Sequence, residues 1–258
     1  MTQPAEHPTG DAPELTIDGA IATITLRRPG VANRLEPADL DLMRGFVRDV
    51  NAMRGVLVLR IRAQGKHFCA GFNIGSLADS GAGARFEAFV DELEAARPVT
   101  IAQINGGVYG GATDLALACD FRLGVPSCQM FVPAARLGLL FYRGGLQRYV
   151  SRLGLNVAKR LLLSAATFDA QQMLACGFLD RVIDSEALQS EANLLSAELA
   201  TMAPLALLGM KKHLNQIARG TLDAAQFARD VAQADASDDL REGSLAWQQK
   251  RRPVFTGN

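Results

Sequence analysis

Residues 104–116 read Ile-Asn-Gly-Gly-Val-Tyr-Gly-Gly-Ala-Thr-Asp-Leu-Ala, and this stretch decides the fold. It predicts a strand that runs into a glycine-rich turn, followed by an apolar helix that starts near Gly111. Glycine permits positive φ and a close approach of two backbones at such a turn. The first turn of a helix adds unpaired N–H groups and a partial positive charge, which suit a developing anion. We therefore expect an oxygen-binding site at this turn, with the Asp114 carboxylate in the first turn of the helix.

A second segment, residues 65–73, reads Gly-Lys-His-Phe-Cys-Ala-Gly-Phe-Asn. Together with the glycine turn it resembles the signature of the crotonase superfamily, whose enzymes act on acyl-coenzyme A thioesters. The resemblance covers most of the chain and includes 130–148 and the terminal run 250–255. Within 130–148 it is carried by Pro133, Leu137, Gly138, Gly144, Gly145, Gln147 and Arg148. These four motifs in the family's order imply an α/β fold, a crotonase-like spiral of ββα units with a helical C-terminal oligomerisation subdomain.

The composition is typical of a soluble globular protein, with 258 residues, 48% of them hydrophobic and 21% charged. The length permits one large α/β domain, or one domain with an appended subdomain. The 27 basic residues balance the 27 acidic ones, so the bulk charge gives no reason to expect nucleic acid or an anionic membrane as a partner. The N-terminus lacks the features of a signal peptide, and no apolar stretch approaches the ~20 residues of a membrane span. We expect a cytoplasmic protein.

The four cysteines show no C-x-x-C pairing and no spacing to histidines that suggests a zinc site. They are Cys69, Cys119, Cys128 and Cys176. Free cysteine packs as a small hydrophobe, so we expect all four to be reduced core residues. No metal is expected, and the family resemblance implies no covalently bound cofactor, since coenzyme A enters as part of the thioester substrate.

The chain divides into three regions. Residues 1–13 lack periodicity and are expected to form a disordered tail, residues 14–185 form the α/β core with the acyl-CoA site, and residues 186–258 are wholly helical. The resemblance implies that this last region assembles a homotrimer or a dimer of trimers. Predicted strands lie at 22–26, 56–61, 99–104, 120–124 and 129–132, and predicted helices begin near Pro37, Arg85, Gly111 and Gly144. The predicted C-terminal helices cover 188–199, 205–217, 222–234 and 240–249, and a flexible loop is predicted over 75–84.

The family resemblance assigns the oxyanion hole to the backbone N–H groups of Phe72 and Gly111. Preorganised donors of this kind contribute ~3 kcal/mol each to the stabilisation of an enolate. A backbone donor tolerates Phe72, where many relatives have alanine, because the side chain is not the donor. His67, which precedes Phe68, is interpreted as a structural residue and not as a base.

The resemblance also places coenzyme A along the loop at 65–74. The expected adenine contacts are Ala32, Asn33, Ala70 and Asn73. Its phosphates need cations, because phosphate recognition relies on arginine forks and lysine charges. The candidates are Arg28, Arg34, and either Lys250 or Arg251 from a neighbouring subunit. The other expected substrate contacts are Phe68, Ile74, Gly110, Ala134, Phe141, Tyr142 and Arg143.

The acid–base chemistry departs from the usual family pattern. Family hydratases use two carboxylates, one in the helix after the glycine turn and one after the proline of the next connection. Asp114 occupies the first position, but Ala134 follows Pro133 where the second glutamate is expected. Losing one acid–base partner commonly costs ~10²–10⁴-fold in rate, which makes ordinary two-carboxylate hydration doubtful. Asp114 is therefore the single predicted acid–base residue.

Three functions remain open at this point. The first is an acyl-CoA enzyme of the enoyl-CoA hydratase/isomerase type that stabilises an enolate. The second, favoured by Ala134, is a catalytically silent CoA-binding or scaffold homologue. The third is another enolate reaction, such as a decarboxylase, hydrolase or dehalogenase, on a polar acyl group. Tyr142 and Arg143 suit a polar group, because they offer a phenolic hydroxyl and a guanidinium beside the expected acyl pocket.

Overall fold

A six-stranded sheet forms the centre of the computed structural model, which describes residues 10–73 and 81–258. The strands follow the order β1-β2-β3-β4-β6-β9 across the sheet. They are β1 (Asp11–Asp18), β2 (Ile21–Arg27), β3 (Val58–Ala63), β4 (Val99–Ile104), β6 (Phe121–Gly124) and β9 (Arg181–Val182). β1 and β2 are antiparallel, whereas the remaining neighbours are parallel. All six residues of β4 are buried, as expected for a parallel strand covered on both faces.

A second, three-stranded sheet stands next to the glycine turn. It consists of β5 (Val108–Tyr109), β7 (Gln129–Phe131) and β8 (Phe168–Asp169). β5 pairs with β7 in parallel, and β7 pairs with β8 antiparallel. An isolated bridge between Cys69 and Val108 joins the 65–73 segment to this sheet. The two sequence motifs are therefore held side by side by backbone pairing.

Ten α-helices accompany the two sheets in the described part of the chain. They are α1 (Pro37–Ala52), α2 (Ala82–Glu94), α3 (Gly111–Ala118), α4 (Arg143–Leu153), α5 (Leu155–Ser164), α6 (Ala170–Ala175), α7 (Leu188–Leu199), α8 (Pro204–Arg219), α9 (Ala224–Asp235) and α10 (Asp238–Gln248). Every residue of α3 after Gly111 is buried. This helix therefore lies inside the protein, and its polar side chains need partners there.

The C-terminal helices agree closely with the sequence prediction, and α7 has the predicted bounds. Several large apolar side chains on α8–α10 stay exposed in the single chain, including Leu214, Phe227, Leu245 and Trp247. Across the described residues, no single helix has the length and apolar character needed to cross a membrane. The pair α7 and α8, bent by 108°, meets those length and composition criteria only when the two are taken together.

The predicted tail and the predicted loop both extend into regular secondary structure. The tail predicted over 1–13 is too long, because β1 begins at Asp11 and pairs with β2 up to Arg27. The loop predicted over 75–84 runs past the start of α2, which begins at Ala82. Residues 74–80 lie outside the described part.

The four cysteines are free thiols, as predicted, and Cys69, Cys119 and Cys128 are buried. Burial raises the pKa of the Cys69 thiol to about 12, so it is a neutral packing group at physiological pH.

Candidate active site

The glycine turn presents the N-terminus of α3 to the loop at 65–73. Gly110 precedes the helix with φ 55° and ψ −130°, a conformation that favours glycine. Its N–H donates to the Phe131 carbonyl at 2.9 Å. Gly111 is the first residue of the helix, so its own N–H has no acceptor within the helix.

Gly71 brings the second motif against this turn. It has φ +88°, and a Cβ added there would lie 2.8 Å from the Tyr109 carbonyl oxygen and 3.0 Å from the Gly111 nitrogen. Leu35 fixes the loop, because its N–H donates to the Gly71 carbonyl at 2.8 Å and its carbonyl accepts from the Asn73 N–H at 2.9 Å. This parallel bridge turns the N–H of Phe72 away from Leu35.

The N–H groups of Phe72 and Gly111 have no hydrogen-bond acceptor in the described part of the chain. Within residues 10–73 and 81–258, neither group donates a hydrogen bond to a protein acceptor. The close approach of Gly71 to the Gly111 nitrogen brings the two segments together. The arrangement leaves one backbone donor without a described acceptor on each of two adjacent segments.

Asp114 is fully buried, and both of its carboxylate oxygens are occupied. Arg148 donates through Nε to Oδ1 at 2.9 Å and through Nη2 to Oδ2 at 2.7 Å. The Tyr142 hydroxyl also donates to Oδ2, at 2.5 Å. Burial, together with the charge of Asp114 and this hydrogen bond, raises the pKa of Tyr142 well above its usual value of 10.0, so its hydroxyl keeps its proton at neutral pH.

Arg148 connects Asp114 to a larger ionic network between α2 and α4. Its Nη1 contacts Asp91 at 2.6 Å and Glu94 at 3.2 Å. Arg219 also bonds to both of these carboxylates, and Arg152 bonds to Glu94 at 3.1 Å. Burial opposes the charge on Arg148, but its hydrogen bond and charge interaction with Asp114 outweigh this and raise the arginine's pKa.

Aromatic rings line the N-terminal end of α3. The Phe86 ring centroid lies 5.9 Å from that of Phe72 and 6.0 Å from that of Tyr142. The Phe141 ring stacks on Tyr142 with centroids 4.6 Å apart. A Cβ added at Gly111 would lie 2.8 Å from Cζ of Phe86, so this ring touches the start of the helix. Phe86 is only 3% exposed and limits the room beside the turn.

The position expected to carry the second carboxylate offers no acid–base group. Ala134 is buried at the start of a short 3-10 helix, Ala134–Leu137. Arg143 is the first residue of α4 and is exposed. Tyr142, which lies between these two residues in the chain, contacts the buried Asp114 carboxylate together with Arg148.

The predicted coenzyme A contacts fall into two groups. Arg28 is mostly buried and pairs with buried Asp39, so its guanidinium is committed inside the protein. The Asn33 amide donates to the carbonyls of Gln64 at 2.9 Å and His67 at 2.8 Å, which stabilises the loop. These two side chains are structural in this arrangement and are poorly placed to bind phosphate or adenine.

The second group is more accessible. Arg34 pairs with Glu36 at 2.9 Å, and its side chain is 39% exposed. The Asn73 amide donates to Glu36 at 2.8 Å. Lys250 is exposed beyond α10 in a left-handed backbone conformation. The exposed parts of Arg34 and Lys250 can meet a ligand or a neighbouring subunit.

The other predicted residues of the loop have mixed roles. Phe68 is fully buried in the core, and the Ala70 N–H donates to the Ala32 carbonyl at 2.8 Å. The His67 ring lies 5.8 Å from Tyr109, and its buried Nδ1 has no partner among the described residues. Ile74 lies outside the described residues.

Sequence reasoning missed two residues that shape the site. Arg148 belongs to a family motif that predicts no role for it, and Phe86 belongs to no motif. Arg148 lies 34 positions after Asp114, so no local pattern shows that the two meet. Phe86 carries an apolar side chain on an amphipathic helix, which predicts burial but not contact with the glycine turn.

Comparisons with known proteins agree with this architecture. The family model for enoyl-CoA hydratase/isomerase matches residues 16–258. The chain is 29% identical over 246 residues to 2,3-dehydroadipyl-CoA hydratase of Escherichia coli, covering 92% of this chain and 95% of the relative. It is 28% identical over 244 residues to crotonyl-CoA hydratase of Syntrophomonas wolfei, covering 91% and 94%. The crystal structure of an enoyl-CoA hydratase/carnithine racemase of Magnetospirillum magneticum superposes with a TM-score of 0.89 at 26% identity, covering 97% and 98%.

Proposed function

Because the chain belongs to the enoyl-CoA hydratase/isomerase family, we propose that it binds an acyl-CoA thioester and stabilises its enolate with the N–H groups of Phe72 and Gly111. The observation that carries this proposal is the pair of unpaired backbone donors brought together by Gly71. An enolate oxygen gains negative charge as it forms, and fixed donors stabilise that charge without reorganising. The N-terminus of α3 adds a favourable partial charge at the same place.

Asp114 is the proposed ionisable group for proton transfer. It lies on the same helix as Gly111, three residues later, and is fully buried. Arg148 holds it in a fixed position through two hydrogen bonds. With Ala134 in place of a second acid, one carboxylate suits a proton shuttle, such as double-bond isomerisation or a related enolate reaction, better than the addition of water. Arg34, Arg143 and Lys250 are the proposed cations for coenzyme A or a polar acyl group.

The proposed assembly is a homotrimer or a dimer of trimers. Exposed apolar side chains on the C-terminal helices support this proposal, and Trp247 is 86% exposed in the single chain. Exposed surfaces of this kind are typical of subunit interfaces.

Substitution of Asp114 tests the proposed reaction. The wild-type chain and Asp114→Asn are assayed with crotonyl-CoA and with 3-enoyl-CoA substrates of several lengths. We expect the substitution to lower turnover by ~10²–10⁴-fold, because it removes the ionisable group. The matched control is Asp91→Asn, which also removes a carboxylate partner of Arg148 but lies in α2, outside the proposed reaction site. Equal turnover in all three proteins, each with its folded fraction measured, would remove Asp114 from the mechanism.

A second candidate function is a catalytically silent CoA-binding protein. Ala134 favours it, because the expected second acid is missing. Both candidates bind acyl-CoA, so calorimetric titration with butyryl-CoA must be combined with the enoyl-CoA turnover assay to separate them. Binding without turnover of any enoyl-CoA would support the silent protein, whereas binding with turnover supports the enzyme.

A further inference from the structure

Asp114 has no free face from which to meet a substrate. Asp114 is fully buried. Its Oδ1 accepts a hydrogen bond from Arg148, and its Oδ2 accepts from both Arg148 and Tyr142. The arginine approaches from inside the protein, where it is itself only 1% exposed. Of the two side chains that bond to the carboxylate, only Tyr142 is partly exposed. A reacting carbon atom would have to displace Tyr142 to reach Asp114.

Tyr142 is held firmly in this position. It is the residue that precedes α4, with extended backbone at φ −73° and ψ 159°. Its ring stacks on Phe141 at 4.6 Å and meets Phe86 edge-on at 6.0 Å. The same Phe86 ring touches Gly111, whose N–H is one of the proposed oxyanion donors. The tyrosine therefore shares a wall with the proposed thioester site.

We propose that the Tyr142 hydroxyl exchanges the proton with the acyl group, and that Asp114 acts through it as a positioning and proton-accepting residue. This inference rests on the proposed function, since it concerns the same enolate. When the bond between the α-carbon and its hydrogen breaks, the proton moves to the Tyr142 oxygen, and the hydroxyl proton moves to Oδ2 of Asp114. The electron pair of the broken bond passes to the thioester oxygen as an enolate. The reverse transfers return a proton to carbon, so no oxidant or co-reactant is needed.

The ionisation states at neutral pH suit this direction of transfer. The Tyr142 pKa is raised, first by burial and then by Asp114, so the hydroxyl carries a proton and donates it toward the carboxylate. A phenolic oxygen that donates one hydrogen bond still has lone pairs for an incoming proton. Arg148 stays cationic and holds the carboxylate through two parallel bonds.

Exchange of the α-protons of butyryl-CoA in D₂O tests the inference, with proton NMR as the readout. This exchange needs enolate formation and exchange of the abstracted proton with solvent, but neither water addition nor double-bond migration. The test variant is Tyr142→Phe, which keeps the ring and removes the hydroxyl. The matched control is Tyr149→Phe, because the Tyr149 hydroxyl bonds to Thr113 and its ring meets Phe141 edge-on at 5.7 Å.

We expect Tyr142→Phe to slow exchange by ~10²-fold or more, the usual effect of losing a positioned acid–base group. Tyr149→Phe should stay within a few-fold of the wild type. The dissociation constant of butyryl-CoA, measured by calorimetry, should be similar in all three proteins, and thermal unfolding gives the folded fraction of each. A purely structural hydroxyl predicts the opposite result, because its removal opens Asp114 to the substrate and leaves exchange unchanged or faster.

The possible outcomes are distinct. Exchange by the wild type that is lost in Tyr142→Phe, with binding retained, supports the inference. Exchange retained in folded Tyr142→Phe overturns it and leaves the proposed function intact. Absence of exchange and turnover in the wild type overturns both, because no enolate then forms.

Discussion

Adding one methyl group at Gly71 tests the proposed oxyanion hole directly. Gly71→Ala would place a Cβ 2.8 Å from the Tyr109 carbonyl oxygen and 3.0 Å from the Gly111 nitrogen, where ordinary contacts begin at 3.4 Å. Both neighbours are backbone atoms, which cannot rotate away as a side chain can. The 109–111 segment must therefore retreat by roughly half an ångström, since nonbonded atoms repel steeply below their optimal separation.

The size of the effect follows from this displacement. A misplacement of about 1 Å costs ~10²-fold in rate, and losing an oxyanion donor costs ~10²–10³-fold. We expect turnover to fall by ~10–100-fold. Stability should also fall, because a residue with a side chain costs ~1–2 kcal/mol at positive φ and overpacking adds ~1–3 kcal/mol.

Gly177→Ala is the matched control. Gly177 has φ +78°, close to the +88° of Gly71, but a Cβ there would meet nothing within 4 Å. Gly177→Ala therefore has the energetic cost of a side chain at positive φ but displaces no neighbouring backbone. The assay compares enoyl-CoA turnover, corrected for folded fraction, with the free energy of unfolding in urea. If Gly71→Ala keeps the same turnover as Gly177→Ala, the enolate oxygen is not bound between Phe72 and Gly111.

Two further substitutions address the acyl space and the C-terminal helices. The 3%-exposed Phe86 ring touches Gly111 and limits the room for an acyl chain there. Phe86→Leu should therefore raise kcat/KM for octenoyl-CoA relative to crotonyl-CoA by ~10-fold. An unchanged ratio counts against this ring as the limit on acyl length. Lys212, Gln226 and His213 hold the pKa of Asp230 at about 2, below its usual 3.8. The ionised form thus stabilises the fold above pH 3.8 and loses this effect as pH falls through 2. Asp230→Asn should cost ~1 kcal/mol in urea unfolding at pH 7, and a difference from wild type that keeps its pH 7 size as the pH falls toward 2 would contradict the assignment.

The sequence was sufficient to predict the elements that rest on local signals. The strand at 99–104 and the helix from Gly111 were predicted because a buried apolar run, a glycine turn and a second apolar run follow one another. The crotonase fold is confirmed by the family match and by the structural relatives. β1 was not predicted, because its residues Asp11–Asp18 are mostly exposed and include a proline, which weakens the strand pattern.

The site was less predictable, because its contacts join distant positions. Asp114 was selected from the motif, but its burial and its pairing with Arg148 depend on how α3 and α4 pack. Arg28 was selected as a phosphate ligand for its charge, and the ion pair with Asp39 could not be inferred from residue type alone. The partner of the Tyr142 hydroxyl is likewise set by tertiary packing. A phenol can donate to a ligand or to a buried carboxylate, and the residue type does not decide between them.

The ionic network makes the proposed chemistry and the stability of the fold depend on the same residues. One guanidinium, that of Arg148 in α4, joins Asp114 of α3 to Asp91 and Glu94 of α2. Removing one partner of a buried ion pair typically costs ~3–5 kcal/mol, because the other charge remains buried without full compensation. Asp114 therefore helps to hold three helices together as well as to support Tyr142. Under the proposed mechanism, we expect a change at Asp114 to lower activity both by chemistry and by unfolding, whereas Tyr142→Phe leaves every ion pair of the network in place. For this reason the tyrosine variant separates proton transfer from folding more cleanly than any carboxylate variant of this site.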